Sequence, residues 1–131
     1  MAGTFKFELV SPEKVLLAGD AEQVVLPGAE GDFAVLIGHA PVVTSLRPGV
    51  LDVQLAGSKR RLYVSGGFAE VTPDRLTVLA PRAYDADTTG GEAKAQFAAE
   101  LRTAEADLAA AKDDEGRRLA AEAVERLKAL V

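Results

Sequence analysis

The sequence predicts an α+β fold that is mainly β. We expect an N-terminal antiparallel β-sandwich or flattened barrel over residues 1–84, followed by a C-terminal antiparallel α-helical hairpin over residues 85–131. Short apolar stretches alternate with glycine- and proline-containing turns in the first part, which is typical of an all-β domain. All six prolines lie at or before Pro81. Beyond Glu92 the chain is rich in Ala, Glu, Lys, Arg and Leu, the strongest helix formers.

The N-terminal part begins with a clear strand pattern. Phe5, Phe7 and Leu9 alternate with polar residues, as in a strand with one buried face. After a turn at residues 11–14, a second strand is expected to start at 15–17. Gly19 and the following aspartate are expected to interrupt it before the apolar run at 24–26.

The stretch from Gly28 to Gly49 reads GAEGDFAVLIGHAPVVTSLRPG and organises the middle of the chain. Gly31 allows a positive φ at the first turn. Phe33–Ile37 is a five-residue apolar run, which predicts a short buried strand. Pro41 fixes its own φ and disfavours the α conformation in the preceding residue, so the chain is expected to bend there before a second apolar strand.

The remaining strands follow at short intervals. Residues 50–55 and 61–64 are expected to pair as a hairpin. Gly66-Gly67 then indicates a β-bulge or a tight strand crossing, because neither glycine-rich phosphate-binding motif is present. The strand resumes at 68–71, and the last strand is expected at 76–80.

Two amphipathic helices are predicted in the C-terminal part. Apolar residues at 97, 101, 104 and 108 share one helical face, as do those at 119, 123, 127 and 130. Asp113-Asp114 can cap the second helix. Surface ion pairs are expected at 114/118 and 122/126, four residues apart. Because alanine fills most of the apolar face, we expect the hairpin to dock weakly, as a loosely attached arm on a rigid sandwich.

Composition excludes several classes of function. The net charge of −5 argues against nucleic-acid binding. The chain has no cysteine and a single histidine, so disulfides and thiolate zinc sites are excluded, and we expect no metal and no cofactor. No stretch approaches the roughly 20 apolar residues that span a bilayer. We therefore expect a soluble, cytoplasmic protein that reaches a membrane only through a partner.

The candidate site residues each have a structural and a functional interpretation. His39 is interpreted as a turn residue, because no G-x-S-x-G motif accompanies it. Asp32 is expected by default to hydrogen-bond its own backbone in a turn, and its functional alternative is a partner contact at a sheet end. The end of the arm is partly basic, which fits either a solvated helix face or an acidic partner surface. Its basic residues are Arg117, Arg118, Arg126 and Lys128.

Several segments together resemble one family, the epsilon subunit of F-type ATP synthases, which is called delta in mitochondria. The segments are GAEGDF at 28–33, GHAPVVT at 38–44, PG at 48–49, YVSGGFAEV at 63–71 and VLA at 78–80. The resemblance covers the sandwich and the helical hairpin in the same order as the prediction above.

The resemblance implies a non-catalytic rotor subunit of a proton-translocating ATP synthase, peripheral on the cytoplasmic face of a bacterial inner membrane. It implies that the sandwich binds the gamma subunit and rests on the polar loops of the c-ring, so that ring rotation drives ATP synthesis through gamma. Asp32 matches the acidic position that meets the c-ring loops. Glu30 and Gly31 flank it, and His39 matches a histidine near the same end.

The arm departs from the family pattern. Many bacterial members carry an L/I-D-x-x-R-A motif at the start of the hairpin, and some bind ATP there. Residues 85–92 read DADTTGGE, without an arginine, so no ATP site is expected. Contact of the arm with the alpha and beta subunits, and regulation of ATP hydrolysis through it, stay open. Two other readings also stay open: a free-standing adaptor that binds a peptide or helix, and a small hydrolase that uses His39.

Overall fold

A computed structural model describes residues 3–87 and 91–130 of the chain. In these residues nine strands precede two helices, so the predicted fold class is confirmed. The strands are β1 (Phe5–Val10), β2 (Val15–Gly28), β3 (Gly31–Val35), β4 (Val42–Leu46), β5 (Gly49–Leu55), β6 (Ser58–Val64), β7 (Gly67–Thr72), β8 (Arg75–Leu79) and β9 (Ala83–Asp85). The helices are α1 (Gly91–Ala110) and α2 (Asp114–Leu130).

The strands form a sheet that folds back on itself into a sandwich. Its order is β1-β8-β7-β4-β2-β5-β6-β9, with β3 paired to β2. A further pairing between β1 and β2 links the first strand to the middle of this order, so β1, β8, β7, β4 and β2 form a closed ring. Neighbouring strands are antiparallel, apart from β1 and β8, which run parallel.

Strand β2 is continuous, and the break expected at Gly19 is wrong. The strand has 14 residues, and Gly19 pairs with Phe7 while Asp20 pairs with Lys6 on β1. The Lys6 ammonium also lies 2.8 Å from the Asp20 carboxylate. Pairing along β1 therefore holds the chain extended at two residues that have low β propensity on their own.

Two further expectations about the strands are wrong. The buried strand expected at 33–37 ends at Val35, and Leu36 and Ile37 are exposed by 43% and 41%. The chain turns there because Gly38 adopts a φ of 81° and its N–H donates to the Pro73 carbonyl at 2.7 Å. The strand expected to be the last is followed by β9, which pairs with β6 and is only three residues long.

One apolar core fills the sandwich. Inward-facing residues alternate along the strands, as the period of two requires. Fully buried members include Phe7, Leu9, Val24, Leu26 and Leu51. They come from β1, β2 and β5, so the core joins both parts of the folded sheet. The stability of the sandwich thus rests on contacts between residues that are far apart in the chain.

The helical hairpin forms as predicted, and its capping residue is confirmed. The Asp113 carboxylate accepts a hydrogen bond from the Gly116 N–H at 2.6 Å, which satisfies a free donor in the first turn of α2. Phe97, Ala104 and Leu127 are buried on the predicted faces. Each expected ion pair, 114/118 and 122/126, is wrong in one of its two partners. The structure pairs Arg117 with Asp114 and Arg118 with Glu122.

Gly67 begins β7 and lies against the Leu79 carbonyl at the end of β8, so replacing it should be costly. Its φ is 135°, and a Cβ there would collide with the Leu79 carbonyl. Gly31 has the same backbone conformation, with a φ of 136°, but a Cβ there would meet no atom within 4 Å. Comparing alanine variants at these two positions therefore separates the cost of the strained φ from the cost of the steric collision.

We predict that Gly67→Ala lowers the free energy of unfolding much more than Gly31→Ala does. The strained φ should cost about 1–3 kcal/mol in both variants. The collision should add roughly 1–3 kcal/mol in Gly67→Ala alone. Urea denaturation of the two variants measures the difference. Equal losses would show that β7 and β8 can separate easily at this point.

Candidate functional site

The four residues predicted to contact the c-ring or gamma lie around one cleft. Glu30 lies in the turn before β3, Gly31 and Asp32 begin β3, and His39 precedes β4. All four line a cleft of about 480 Å³ at this end of the sandwich. The structure therefore brings the predicted residues together, and whether they contact a partner stays a prediction.

Asp32 has a different partner from the one its default interpretation supplied. Its carboxylate accepts a hydrogen bond from Arg47 Nη2 at 2.8 Å rather than from its own turn. The Asp32 side chain is nevertheless 63% exposed. A partly paired and largely exposed carboxylate at the rim of a cleft can still meet a cationic partner.

His39 is a packed turn residue. Its Nδ1 lies 2.7 Å from the Ala40 carbonyl oxygen. That oxygen is an acceptor, so Nδ1 donates. The imidazole ring is tilted against the Phe33 ring, with 6.3 Å between their centres. These contacts fix the corner before β4, and they support the structural interpretation of His39.

Arg47 is central to the site, and sequence analysis missed it. Its Nε donates to the Gly28 carbonyl at 2.7 Å, and its Nη1 lies 3.9 Å from Glu122 Oε2 on α2. Its side chain is mostly buried. One guanidinium thus contacts the turn of the cleft, Asp32 and the helical arm. The chain gives no local signal for this role, because Glu122 is distant in sequence.

A second polar contact joins the arm to the sandwich, and it was also missed. The buried Glu100 carboxylate on α1 accepts hydrogen bonds from Arg82 Nε at 2.6 Å and Arg82 Nη2 at 2.9 Å. It also accepts one from the Tyr84 hydroxyl at 3.0 Å. The hydrogen bonds from Arg82 raise the pKa of that guanidinium. Burial, and then the bond to Glu100, raise the pKa of Tyr84. Both shifts favour the protonated forms, which donate to Glu100.

Aromatic residues surround this contact. The Tyr63 ring on β6 is fully buried and meets the Phe97 ring edge-on, with 6.4 Å between centres. Tyr84 meets the same Phe97 ring at 5.7 Å. Burial raises the pKa of Tyr63 well above its usual value. Val124 and Leu127 of α2 complete this cluster. The arm is thus docked through the cluster, the Glu100 contact and the contact between Arg47 and Glu122, and how tightly it docks stays a prediction.

The basic residues of the arm are divided between internal pairs and solvent. Arg117 and Arg118 pair with acidic residues of their own helix, at 3.1 and 3.4 Å. Arg126 and Lys128 are exposed near the end of α2. In residues 3–87 and 91–130, neither of these two lies in an ion pair. Of the four basic residues of the arm, these two are the best placed to meet a partner.

A row of exposed apolar side chains crosses the sandwich and was not expected from the sequence. Val15 is registered with Val10, Val10 with Leu79, and Leu79 with Phe68, across β2, β1, β8 and β7. Val43 on β4 lies diagonally beside Phe68. We call Val15, Leu79, Phe68 and Val43 the apolar face. Phe68 and Val43 are exposed by 60% and 69%. Contiguous apolar surface of this kind marks interaction sites.

Other kinds of site lack support in the described part of the chain. Residues 3–87 and 91–130 contain no cluster of three or more His, Asp or Glu side chains that could hold a metal ion. Neither α1 nor α2 is long and apolar enough to cross a membrane.

Comparisons with known proteins agree with this architecture. A family model described as "ATP synthase, Delta/Epsilon chain, beta-sandwich domain" matches residues 4–86. The chain is 46% identical to the ATP synthase epsilon chain of Parvibaculum lavamentivorans, over 99% of this chain and 97% of that one. It is 49% identical to ATP synthase epsilon chain 1 of Nitrobacter hamburgensis, over 95% and 87%.

Solved structures extend the similarity to the three-dimensional fold. A chain from the OSCP/F1/c-ring structure of the Euglena gracilis mitochondrial ATP synthase superposes with a TM-score of 0.72 and 26% identity. The match covers 98% of this chain and 82% of that one. A chain from the central stalk and c-ring of the Tetrahymena thermophila enzyme shares the fold, with a TM-score of 0.57 and 15% identity over 92% and 96%. The family model matches residues 4–86, and the alignments at 46% and 49% identity to epsilon chains cover nearly the whole chain. Together they show that this protein belongs to the ATP synthase delta/epsilon family.

Proposed function

We propose that this chain is a rotor subunit of the central stalk, which couples c-ring rotation to ATP synthesis through the gamma subunit. As a member of its family it is a non-catalytic subunit of ATP synthase. The observation that carries the proposal is that one sheet presents two exposed surfaces, the acidic cleft and the apolar face. A subunit that transmits torque needs two contact surfaces on one stiff body.

The apolar face is the proposed docking surface for gamma. Its members project from β2, β8, β7 and β4, whose backbones are paired with their neighbours. The side chains can therefore be buried by a partner without any change in the sheet. Apolar burial of this kind supplies most of the free energy of stable association. The occupant we propose is gamma, the partner that the family resemblance implies.

The cleft around Asp32 is the proposed contact with the polar loops of the c-ring. Its largely exposed carboxylate can pair with a cationic side chain on a ring loop. Glu30 is exposed beside it. The chain would then lie on the cytoplasmic face of the inner membrane, held there by the complex.

The arm is proposed to spend most of its time docked. The bonds from Arg82 and Tyr84 to Glu100 favour the docked state, and two of the four basic arm residues are engaged within α2. Contact with the alpha and beta subunits would then depend on Arg126 and Lys128 in a minor undocked state. Regulation of ATP hydrolysis by the arm is accordingly proposed to be weak.

Phe68→Asp should weaken binding of this chain to gamma by at least about tenfold, because it places a charge in the buried contact. The fold should be unaffected, since Phe68 is mostly exposed. Gln54→Asp is the matched control, because it adds the same charge to an exposed strand position away from the apolar face. Titration of purified gamma gives both affinities. Equal affinity of the two variants would rule out the apolar face as the contact.

Asp32→Asn should lower proton-driven ATP synthesis by the assembled complex by about two- to tenfold, because the ring contact loses its charge. Asp20→Asn is the control, since Asp20 is also exposed and also lies 2.8 Å from a cation, Lys6, away from the cleft. Synthesis is measured in membrane vesicles at matched enzyme content. Unchanged synthesis in Asp32→Asn would count against the c-ring contact.

Removal of the arm after Asp87 should change ATP hydrolysis by the soluble complex less than about twofold. A minor undocked state of at most about a tenth of the molecules can inhibit only that fraction. The cut leaves β9 intact. Hydrolysis rates of complexes with the full-length and shortened chains measure the effect. A rise of several-fold would mean that the arm is mostly undocked and inhibitory.

A further inference from the structure

We propose that Arg47 couples the cleft to the arm: Asp32 and Glu122 compete for its guanidinium, so engagement of Asp32 by a cation strengthens docking of α2. The proposal rests on the proposed function in one respect, namely that the cation is supplied by a c-ring loop. The competition itself is a property of the free chain.

The geometry places one cation between two carboxylates on different parts of the fold. Arg47 Nη2 lies 2.8 Å from Asp32 Oδ1, while Nη1 lies 3.9 Å from Glu122 Oε2. Nε is held by the Gly28 carbonyl at 2.7 Å, which anchors the side chain between them. The guanidinium can therefore turn toward either carboxylate while its Nε stays bonded to the Gly28 carbonyl.

One carboxylate oxygen of Glu122 lacks a hydrogen bond that Arg47 could donate. Its Oε1 accepts from Arg118 at 3.4 Å, but its Oε2 is buried and has no hydrogen-bond partner among the described residues. An unpaired buried carboxylate oxygen is unfavourable. The distance of 3.9 Å from Arg47 is too long for a hydrogen bond. A closer approach of Arg47 would satisfy this oxygen and tighten the contact between α2 and the sandwich.

Asp32 opposes that approach in two ways. It holds Nη2 in a good hydrogen bond, and its negative charge offsets the positive charge that Glu122 feels. When a partner's cation takes Asp32, both effects weaken, and Arg47 is free to approach Glu122. Coupling of this kind is reciprocal, so undocking of α2 must in turn strengthen the bond between Arg47 and Asp32. A chain seated on the ring would therefore hold its arm more firmly than a free chain.

Native-state amide exchange of the free full-length chain tests the coupling. Asp32→Asn imitates a neutralised Asp32, and it should slow the opening of α2 relative to β2 by roughly two- to fivefold, the range of a single exposed ion pair. Asp20→Asn should leave the ratio unchanged, because among the described residues no ion pair or side-chain hydrogen bond joins its partner Lys6 to the arm. Arg47 itself is left intact, since it also anchors the Gly28 turn.

The Glu122→Gln variant tests whether the effect passes through Glu122. In this variant, adding Asp32→Asn should no longer slow amide exchange in α2. Faster or unchanged exchange in Asp32→Asn would overturn the proposal, and so would slowing that persists in Glu122→Gln. If α2 opened only together with β2 in every variant, the proposal would also be overturned. The free chain contains no ring, so the exchange results test the coupling through Arg47, whereas ATP synthesis by Asp32→Asn complexes tests the proposed ring contact.

Discussion

The structure depends on the pairing of β2, which is 14 residues long and bonds to β1, β3, β4 and β5. No other strand joins as many neighbours in the described part of the chain. Because its backbone groups are engaged on both sides, β2 cannot bend at one point without breaking bonds to several strands. It ends at Gly28 in the turn of the cleft, and at its other end it carries Val15 of the apolar face.

The contact between the arm and the sandwich is of a different kind. It consists of one small apolar cluster around Phe97 and Leu127, the bonds to Glu100, and the Arg47–Glu122 pair at 3.9 Å. In the described residues no strand pairing crosses it, and on its helical side Phe97, Val124 and Leu127 pack together with two alanines. We therefore expect the sandwich to behave as a stiff body and the arm to dock on it as a separate unit. Arg47 is the group through which events at the cleft can reach the arm.

Patterns that repeat along the chain predicted most of the fold. Alternation at β1, the glycine and proline turns and the helical faces at Phe97 and Leu127 gave the order of elements and the cap at Asp113. The errors occurred where partners distant in sequence decide the outcome. Pairing with β1 carries β2 through Gly19, and β6 recruits the three residues of β9. Motif resemblance grouped Glu30, Gly31, Asp32 and His39 as one candidate partner contact, and the structure places all four around one cleft. It could not reveal Arg47, Glu100 or the apolar face, because each is defined by contacts or register across the fold.

The central claim is that one rigid sheet holds the cleft and the apolar face in a fixed relation while the arm moves separately. Site-resolved hydrogen exchange under native conditions tests it across β2, β4, β7 and both helices. The account predicts that amides in the three strands share one free energy of opening, equal to that of global unfolding, and that the helices open at a lower free energy. Equal protection of the helices and the strands, or separate opening of β4 or β7, would contradict it.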